Sequence, residues 1–230
     1  MKKRLCFIFY FLLIIKCYSQ NLITNPSFED TIPTNFWSTS MGICFNSPVN
    51  ICYKTDNYND VNHIGFNAYD GKNCAYLSLF QCKTQWSDYL INKITRLEKG
   101  KKYEISFFIT PSDSGRYYAQ DIDLIFCNSN SLSKNISCLT PGKIFMEPTL
   151  SFDISTFKKT GQEGAWIKFS NTFIASGGED LMVVGGFFKE GKRRNNFTRT
   201  FNYRPTKRVL QNFCGADYYL DSFSLVEKKQ

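Results

Sequence analysis

The sequence predicts an all-β fold, an antiparallel sandwich, and three observations carry that expectation. Aromatic residues are abundant, with 13 Tyr and 22 Phe, and such rings suit a pleated, half-buried surface. No long Leu, Ala, Glu and Lys stretch repeats with a helical period. Short apolar runs recur instead along the whole chain, punctuated by Gly, Pro, Asn and Asp.

Taken in order, the first run follows the turn Asp70-Gly71-Lys72-Asn73 and covers Ala75 to Phe80. Tyr89 to Ile94 is the next, and Lys99-Gly100-Lys101 then turns the chain into Tyr103 to Ile109. Asp121 to Phe126 alternates charged with apolar residues, the mark of a strand with one wet and one buried face. Trp166 to Phe173 alternates in the same way, and Asp180 to Phe188 and Tyr218 to Val226 close the series. Thr31 to Asn67, rich in Asn, Ser, Thr, Pro and aromatics, reads as long loops with room for one short strand. Gly191 to Gly215 reads as an insertion, and no internal repeat of fixed period is present.

The N-terminus has the layout of a secretory leader. A basic Met1-Lys2-Lys3-Arg4 precedes the apolar run Leu5 to Ile15, which is too short to span a bilayer. Small residues at Cys17 and Ser19 place the cut before Gln20, so residues 1–19 are expected to be a signal peptide and 20–230 one domain. The rival reading is a lipoprotein acylated on Cys17, against which stands Lys16 where a small residue is required. Export implies a secreted, periplasmic or cell-surface location, with no integral membrane segment in the mature chain.

Loss of the leader lowers the formal net charge of +8 to about +4. What remains basic is concentrated between Lys189 and Arg208, which carries Lys192, Arg193, Arg194, Arg199, Arg204 and Lys207 against a single Glu190, with Phe197, Phe201 and Tyr203 interleaved. Clustered Arg offers charge and planar paired donors to an anionic partner, and the same run also suits a solvated loop. Export argues against a nucleic acid as that partner.

Of nine cysteines, Cys6 and Cys17 belong to the leader. The others are expected to pair in an oxidising compartment, with at least one left over. Cys44 with Cys52 and Cys127 with Cys138 are the favoured bridges, though sequence permits many connectivities. With His63 the only histidine and no CxxC, a structural zinc site is not expected. The sequence has no GxSxG elbow, no HExxH and no phosphate-cradling GxxxxGK[ST], so no enzyme is predicted. A glycosidase-like carboxylate pair drawn from Asp88, Asp121, Asp123, Glu163 and Glu179 is the remaining catalytic alternative.

Four short blocks resemble, in order, the galactose-binding-domain superfamily of carbohydrate-binding-module-like jelly rolls found in exported proteins of Bacteroidetes type. Asn21-Leu22-Ile23-Thr24-Asn25-Pro26-Ser27-Phe28-Glu29 resembles its opening strand. Leu97 to Phe107 resembles its LxxGxxYxxSF strand, and Trp166 to Phe173 with Ala175-Ser176-Gly177-Gly178-Glu179-Asp180 resembles its W-to-GGE block. Tyr219 to Leu225 resembles the closing YxDDVxL strand, with Ser222 in place of the second aspartate.

The resemblance covers nearly the whole mature chain. It implies a jelly-roll β-sandwich and one structural Ca²⁺ held by Glu29 and Asp221, with carbonyls from the turn at Asp70 to Lys72. The other reading takes Glu29 and Asp221 as solvated strand-end carboxylates, and Ser222 in place of the second aspartate strengthens it. For a ligand, Trp37, Trp86, Tyr117 and Tyr118 offer rings that stack on sugars, or that pack in the core, and Arg193, Arg194 and Arg199 offer charge. Trp166 is expected to be structural. The leading expectation is a non-catalytic exported module that binds a glycan or envelope component. The alternatives are an envelope assembly protein with a protein partner and a glycan-active enzyme.

Overall fold

A computed structural model describes residues 20–30, 37–39, 51–53, 68–81, 87–112, 117–135, 146–157, 165–187, 198–199 and 215–229. Twelve strands are described: β1 Trp37–Thr39, β2 Ile51–Tyr53, β3 Asn73–Gln81, β4 Tyr89–Lys93, β5 Lys102–Pro111, β6 Tyr117–Tyr118, β7 Asp121–Cys127, β8 Leu150–Asp153, β9 Ile167–Ile174, β10 Leu181–Gly185, β11 Thr198–Arg199 and β12 Gly215–Glu227. One helix, α1 (Ser129–Asn135), follows β7. Every strand pair is antiparallel. A first sheet runs β1-β4-β10-β7-β8, a second runs β2-β3-β12-β5-β9, and β6 with β11 forms a two-stranded ribbon. The two five-stranded sheets face each other as a jelly-roll sandwich, the fold class that the sequence predicts.

Aromatic residues fill the space between the layers, which explains their abundance. Phe107 of β5 meets Phe152 of β8 edge-on at 5.1 Å, and Phe126 of β7 stacks on Phe173 of β9 at 4.2 Å. Both contacts join one sheet to the other. The long strands coincide with the sequence-predicted runs. β8 and α1 are elements that the sequence reading did not pick out.

Three expectations need correction. The opening block Asn21 to Glu29 is not a strand: it makes a single bridge, Ile23 to Ile94, and left-handed backbone at Asn25 and Phe28 (φ 49° and 61°) breaks any further pairing. It is nonetheless fixed to the last strand, because Leu22 N–H donates to the Leu225 carbonyl at 2.8 Å and Phe223 N–H to that of Pro26 at 3.0 Å. The alternation in β7 does not mark a wet face. Asp123 is fully buried, accepting from the Ser151 hydroxyl at 2.6 Å and from Phe187 N–H at 3.4 Å.

The outer side of the first sheet is thus dry, and a second apolar cluster sits there. Ile91, Ile125, Val183 and Phe187 pack with Leu132 of α1. Cys127 belongs to this cluster and is a free thiol, which corrects the expected bridge to Cys138. Burial pushes its pKa up to about 11, so it is protonated at neutral pH and poorly reactive. Cys52 lies opposite Cys74 in the β2–β3 register, so the backbone sets it against a residue other than Cys44. Cys44 and Cys138 lie outside the described residues, as does the leader.

Candidate functional site

Two places gather polar and aromatic side chains where a ligand or a cation could be held. The first is the outer face of the second sheet. In β5 the residues Ile105, Phe107 and Ile109 point inward, so strand alternation turns Phe108 outward. Tyr69 stacks on Phe108 with ring centroids 3.5 Å apart, and Trp166 stands edge-on to Tyr69 at 6.1 Å. Lys168 lies over the Phe108 ring at 5.9 Å. Tyr69 is 47% exposed, while Phe108 and Trp166 are half-buried. Toward the middle of the face Tyr76 and Tyr219 meet at 5.8 Å. An exposed ring held rigid by stacked neighbours is the kind of surface on which the apolar face of a sugar packs, with Asp70 and Lys168 beside it for hydroxyls.

The second place is the turn between Tyr69 and Asn73, where both residues of the calcium expectation arrive. Glu29 Oε1 accepts Lys72 N–H at 2.8 Å and Asn73 N–H at 2.7 Å. Asp221 Oδ2 accepts Asp70 N–H at 3.0 Å, and Oδ1 accepts Ser222 N–H at 2.6 Å. A bulge in β12 against β5 at this point, with Ser222 at φ 50°, sets Asp221 against the turn. Burial pushes the Asp221 pKa up to about 6, opposed by the amides of Asp70, Ser222 and Tyr69.

The two carboxylates therefore clasp one turn between the N-terminal segment and the last strand. The turn presents N–H donors to them, whereas a calcium ion needs six to eight oxygens. Among the described residues no three acidic, His or Cys side chains are grouped to hold a metal. This donor set does not fit a resident calcium; it fits a clasp made of hydrogen bonds. Gly71 makes the clasp possible: its φ is +68°, and a Cβ there would lie 2.5 Å from the Glu29 carboxyl. Gly71→Ala is expected to lower stability by about 1–3 kcal/mol, through strained φ and displacement of Glu29. A urea melt compared with Lys72→Ala, which leaves the backbone amides in place, checks this.

The other ligand residues predicted from sequence divide three ways. Trp37 is 1% exposed and packs in the core on Phe28 and Phe223, so its ring offers no face to a ligand. Tyr117 and Tyr118 form β6 and are half-buried against the core. Arg199 pairs in register with Tyr117, and Thr198 with Tyr118, so the ribbon sets these two residues against the tyrosines. Trp86, Arg193 and Arg194 lie outside the described residues.

Sequence reading missed Tyr69 and Phe108 altogether and took Trp166 as structural. The signal available was the turn 70–73 placed directly after Tyr69; the facing strand position of Phe108 is set only by the fold. Among the candidate catalytic carboxylates, Glu179 caps a turn through Ser176 and Gly177 N–H at 2.7 and 2.9 Å. Asp121 pairs in register with Asp153, and Asp88 N–H donates to the Ser78 carbonyl at 2.8 Å. Glu163 lies outside the described residues.

Fold and surface together define a β-sandwich with an aromatic patch on one outer face. No protein-family model matches the chain, and no curated protein matches it. Solved structures do. An apo cyclase from Fischerella sp. is similar at 14% identity over 90% of this chain and 95% of that chain, with a TM-score of 0.51. The CBM22-1 xylan-binding domain from Paenibacillus barcinonensis Xyn10C is similar at 13% identity over 92% and 97%, TM-score 0.46. The K1 cleaved adhesin domain of Lys-gingipain from Porphyromonas gingivalis W83 is similar at 15% identity over 88% and 96%, TM-score 0.47. The cyclase likeness is one of fold, and the two looser ones carry nothing further.

Proposed function

We propose that this protein is an exported, non-catalytic binding module that takes a glycan on the outer face of its second sheet. The observation that carries the reading is Tyr69, a half-exposed ring held parallel to Phe108 at 3.5 Å. An aromatic pair left open to solvent contributes little to a core and much to a stacking partner. Export rests on the leader at Met1 to Ser19.

The experiment is a polysaccharide panel, by affinity electrophoresis and calorimetry, with the mature chain and Tyr69→Ala. A stacked ring contributes about 0.5–1.5 kcal/mol beyond the area it buries, so affinity is expected to fall roughly tenfold. The melting temperature is expected to move little, because the ring is half-exposed. A native protein that retains no polysaccharide, or a Tyr69→Ala protein that binds as tightly as the native one, defeats the proposal. Reducing ends released from any polysaccharide would overturn the non-catalytic part.

A protein partner in the cell envelope is the second reading, and the ribbon supports it. The pairing of Thr198 and Arg199 with Tyr118 and Tyr117 anchors part of the basic segment to the sandwich. Co-purification of outer-membrane proteins that is lost in an Arg193→Ala, Arg194→Ala, Arg199→Ala triple variant would favour it over the glycan.

A further inference from the structure

At one edge of the second sheet the fold sets two cysteines against each other. β2 is the edge strand there and is only three residues long. Its ladder with β3 pairs Ile51 with Ala75, Cys52 with Cys74 and Tyr53 with Asn73. Cys127, by contrast, stands opposite Leu181 in its own ladder. Directly opposite residues of an antiparallel pair share one face of the sheet, with Cα atoms about 4.5 Å or about 5.5 Å apart according to whether they exchange hydrogen bonds. A disulfide takes Cα atoms about 4.4–6.8 Å apart. Both ladder spacings lie inside that range, so neither strand has to move for the bond to form.

The surroundings of Cys74 suit such a bond. It is fully buried and clusters with Tyr219, against which Ala68, Tyr76 and Trp166 pack. An S–S bond brings no strong donor or acceptor into an apolar cluster, and a buried one is reduced slowly because the attacking thiolate must reach it. Cys74 also follows Asn73, whose N–H donates to Glu29 at 2.7 Å. A bond at this position therefore joins the edge strand to the turn that Glu29 and Asp221 clasp.

We propose that Cys52 and Cys74 form a cross-strand disulfide in an oxidising compartment, and that it fastens β2 to the clasped turn. The structure holds Cys74 in its thiol form, the reactant of the step. One cysteine thiolate attacks a disulfide oxidant of the glutathione or dithiol-oxidoreductase class, giving a mixed disulfide, and the second thiolate displaces the oxidant's remaining half. The two cysteines lose two protons and two electrons, and the oxidant's S–S bond is reduced to two thiols. The closed loop runs from Cys52 to Cys74 and contains Tyr69. The proposal stands independently of the glycan reading.

The test equilibrates the full mature chain with oxidised and reduced glutathione, alkylates the remaining thiols in denaturant and digests with chymotrypsin. Cuts after Phe45 and Tyr53, and after Tyr69 and Tyr76, place Cys52 and Cys74 on separate peptides that carry no other cysteine. The expected product is one mass equal to both peptides less two hydrogens, which splits on reduction. A Cys74 alkylated without prior reduction, or joined to a cysteine other than Cys52, overturns the proposal. In oxidising buffer Cys52→Ser should melt roughly 5–10 °C below the native protein, the scale for opening a loop of this length, and excess reductant should close the gap. A Cys52→Ser protein that melts with the native one in oxidising buffer would overturn the fastening of β2.

Discussion

Trp37→Ala is expected to lower the unfolding free energy by about 3–5 kcal/mol, the range for deleting a large buried ring. The ring is 1% exposed and touches Phe28 at 4.8 Å and Phe223 at 5.2 Å between centroids. Its indole N–H also donates to the Asn25 carbonyl at 2.9 Å. Asn25 sits at φ 49°, so that bond helps hold a backbone conformation that the residue otherwise disfavours. Truncation removes the packing and one of the two hydrogen bonds to that carbonyl, which still accepts Phe28 N–H at 3.3 Å. For a chain of this size the melting temperature should fall by roughly 10–20 °C. Paired urea and thermal melts are the measurement. A Trp37→Ala protein of unchanged stability that loses a ligand would put the ring on the surface and refute the core assignment.

That expectation also shows where sequence reading stops. Trp37 and Trp166 are chemically alike, and the sequence offers no periodic context for Trp37, since β1 is only three residues long. A loop-rich stretch suggested a surface ring. The fold places Trp37 beneath the N-terminal segment, while Trp166 precedes β9 and is left half-buried on the outer face. The long strands were legible because each alternates or runs apolar for five or more residues between turns. What was not legible is which outer faces are covered. Asp123, Asp217 and Tyr219 alternate with core residues as exposed residues would, yet all three are buried. Period-2 patterning reports which side of a strand faces the other sheet and says nothing of what lies on its back.

The clasp was half legible. Glu29 and Asp221 are brought to one turn, as the resemblance implies, but the direction in which the turn presents its N–H groups depends on Gly71 at positive φ and the bulge at Ser222. Neither feature has a pattern that spacing alone reveals. The Asp88 and Asp217 pair was less legible still. The two are far apart in sequence, and the fold brings both to Ser78: Asp88 N–H donates to its carbonyl at 2.8 Å, and Asp217 is its register partner across β3 and β12.

In metal-free buffer the buried aspartates are expected to make the protein more stable as the pH falls from 7 toward 4. Burial pushes Asp88, Asp217 and Asp221 from 3.8 up to about 6. A raised folded-state pKa means that the native state holds protons which the unfolded chain has released. Between about pH 4 and 6 stability therefore falls as pH rises. Below that window all three are neutral in both states and no penalty remains; above it the full penalty is present. A shift of two units corresponds to about 3 kcal/mol, and because Asp88 and Asp217 repel each other their contributions are not independent. Glu104 works in the opposite sense, since its bond to Lys228 lowers its pKa, but that pair is partly solvated and contributes less. Urea melts at pH 4.5, 5.5 and 7 in chelator should give midpoints that decrease in that order. Asp217→Asn should flatten the slope, because it removes one of the titrating groups. A midpoint that instead rises steadily from pH 4.5 to 7 would mean that these carboxylates meet a counter-charge in solution, and would refute the assignment of raised pKa values to them.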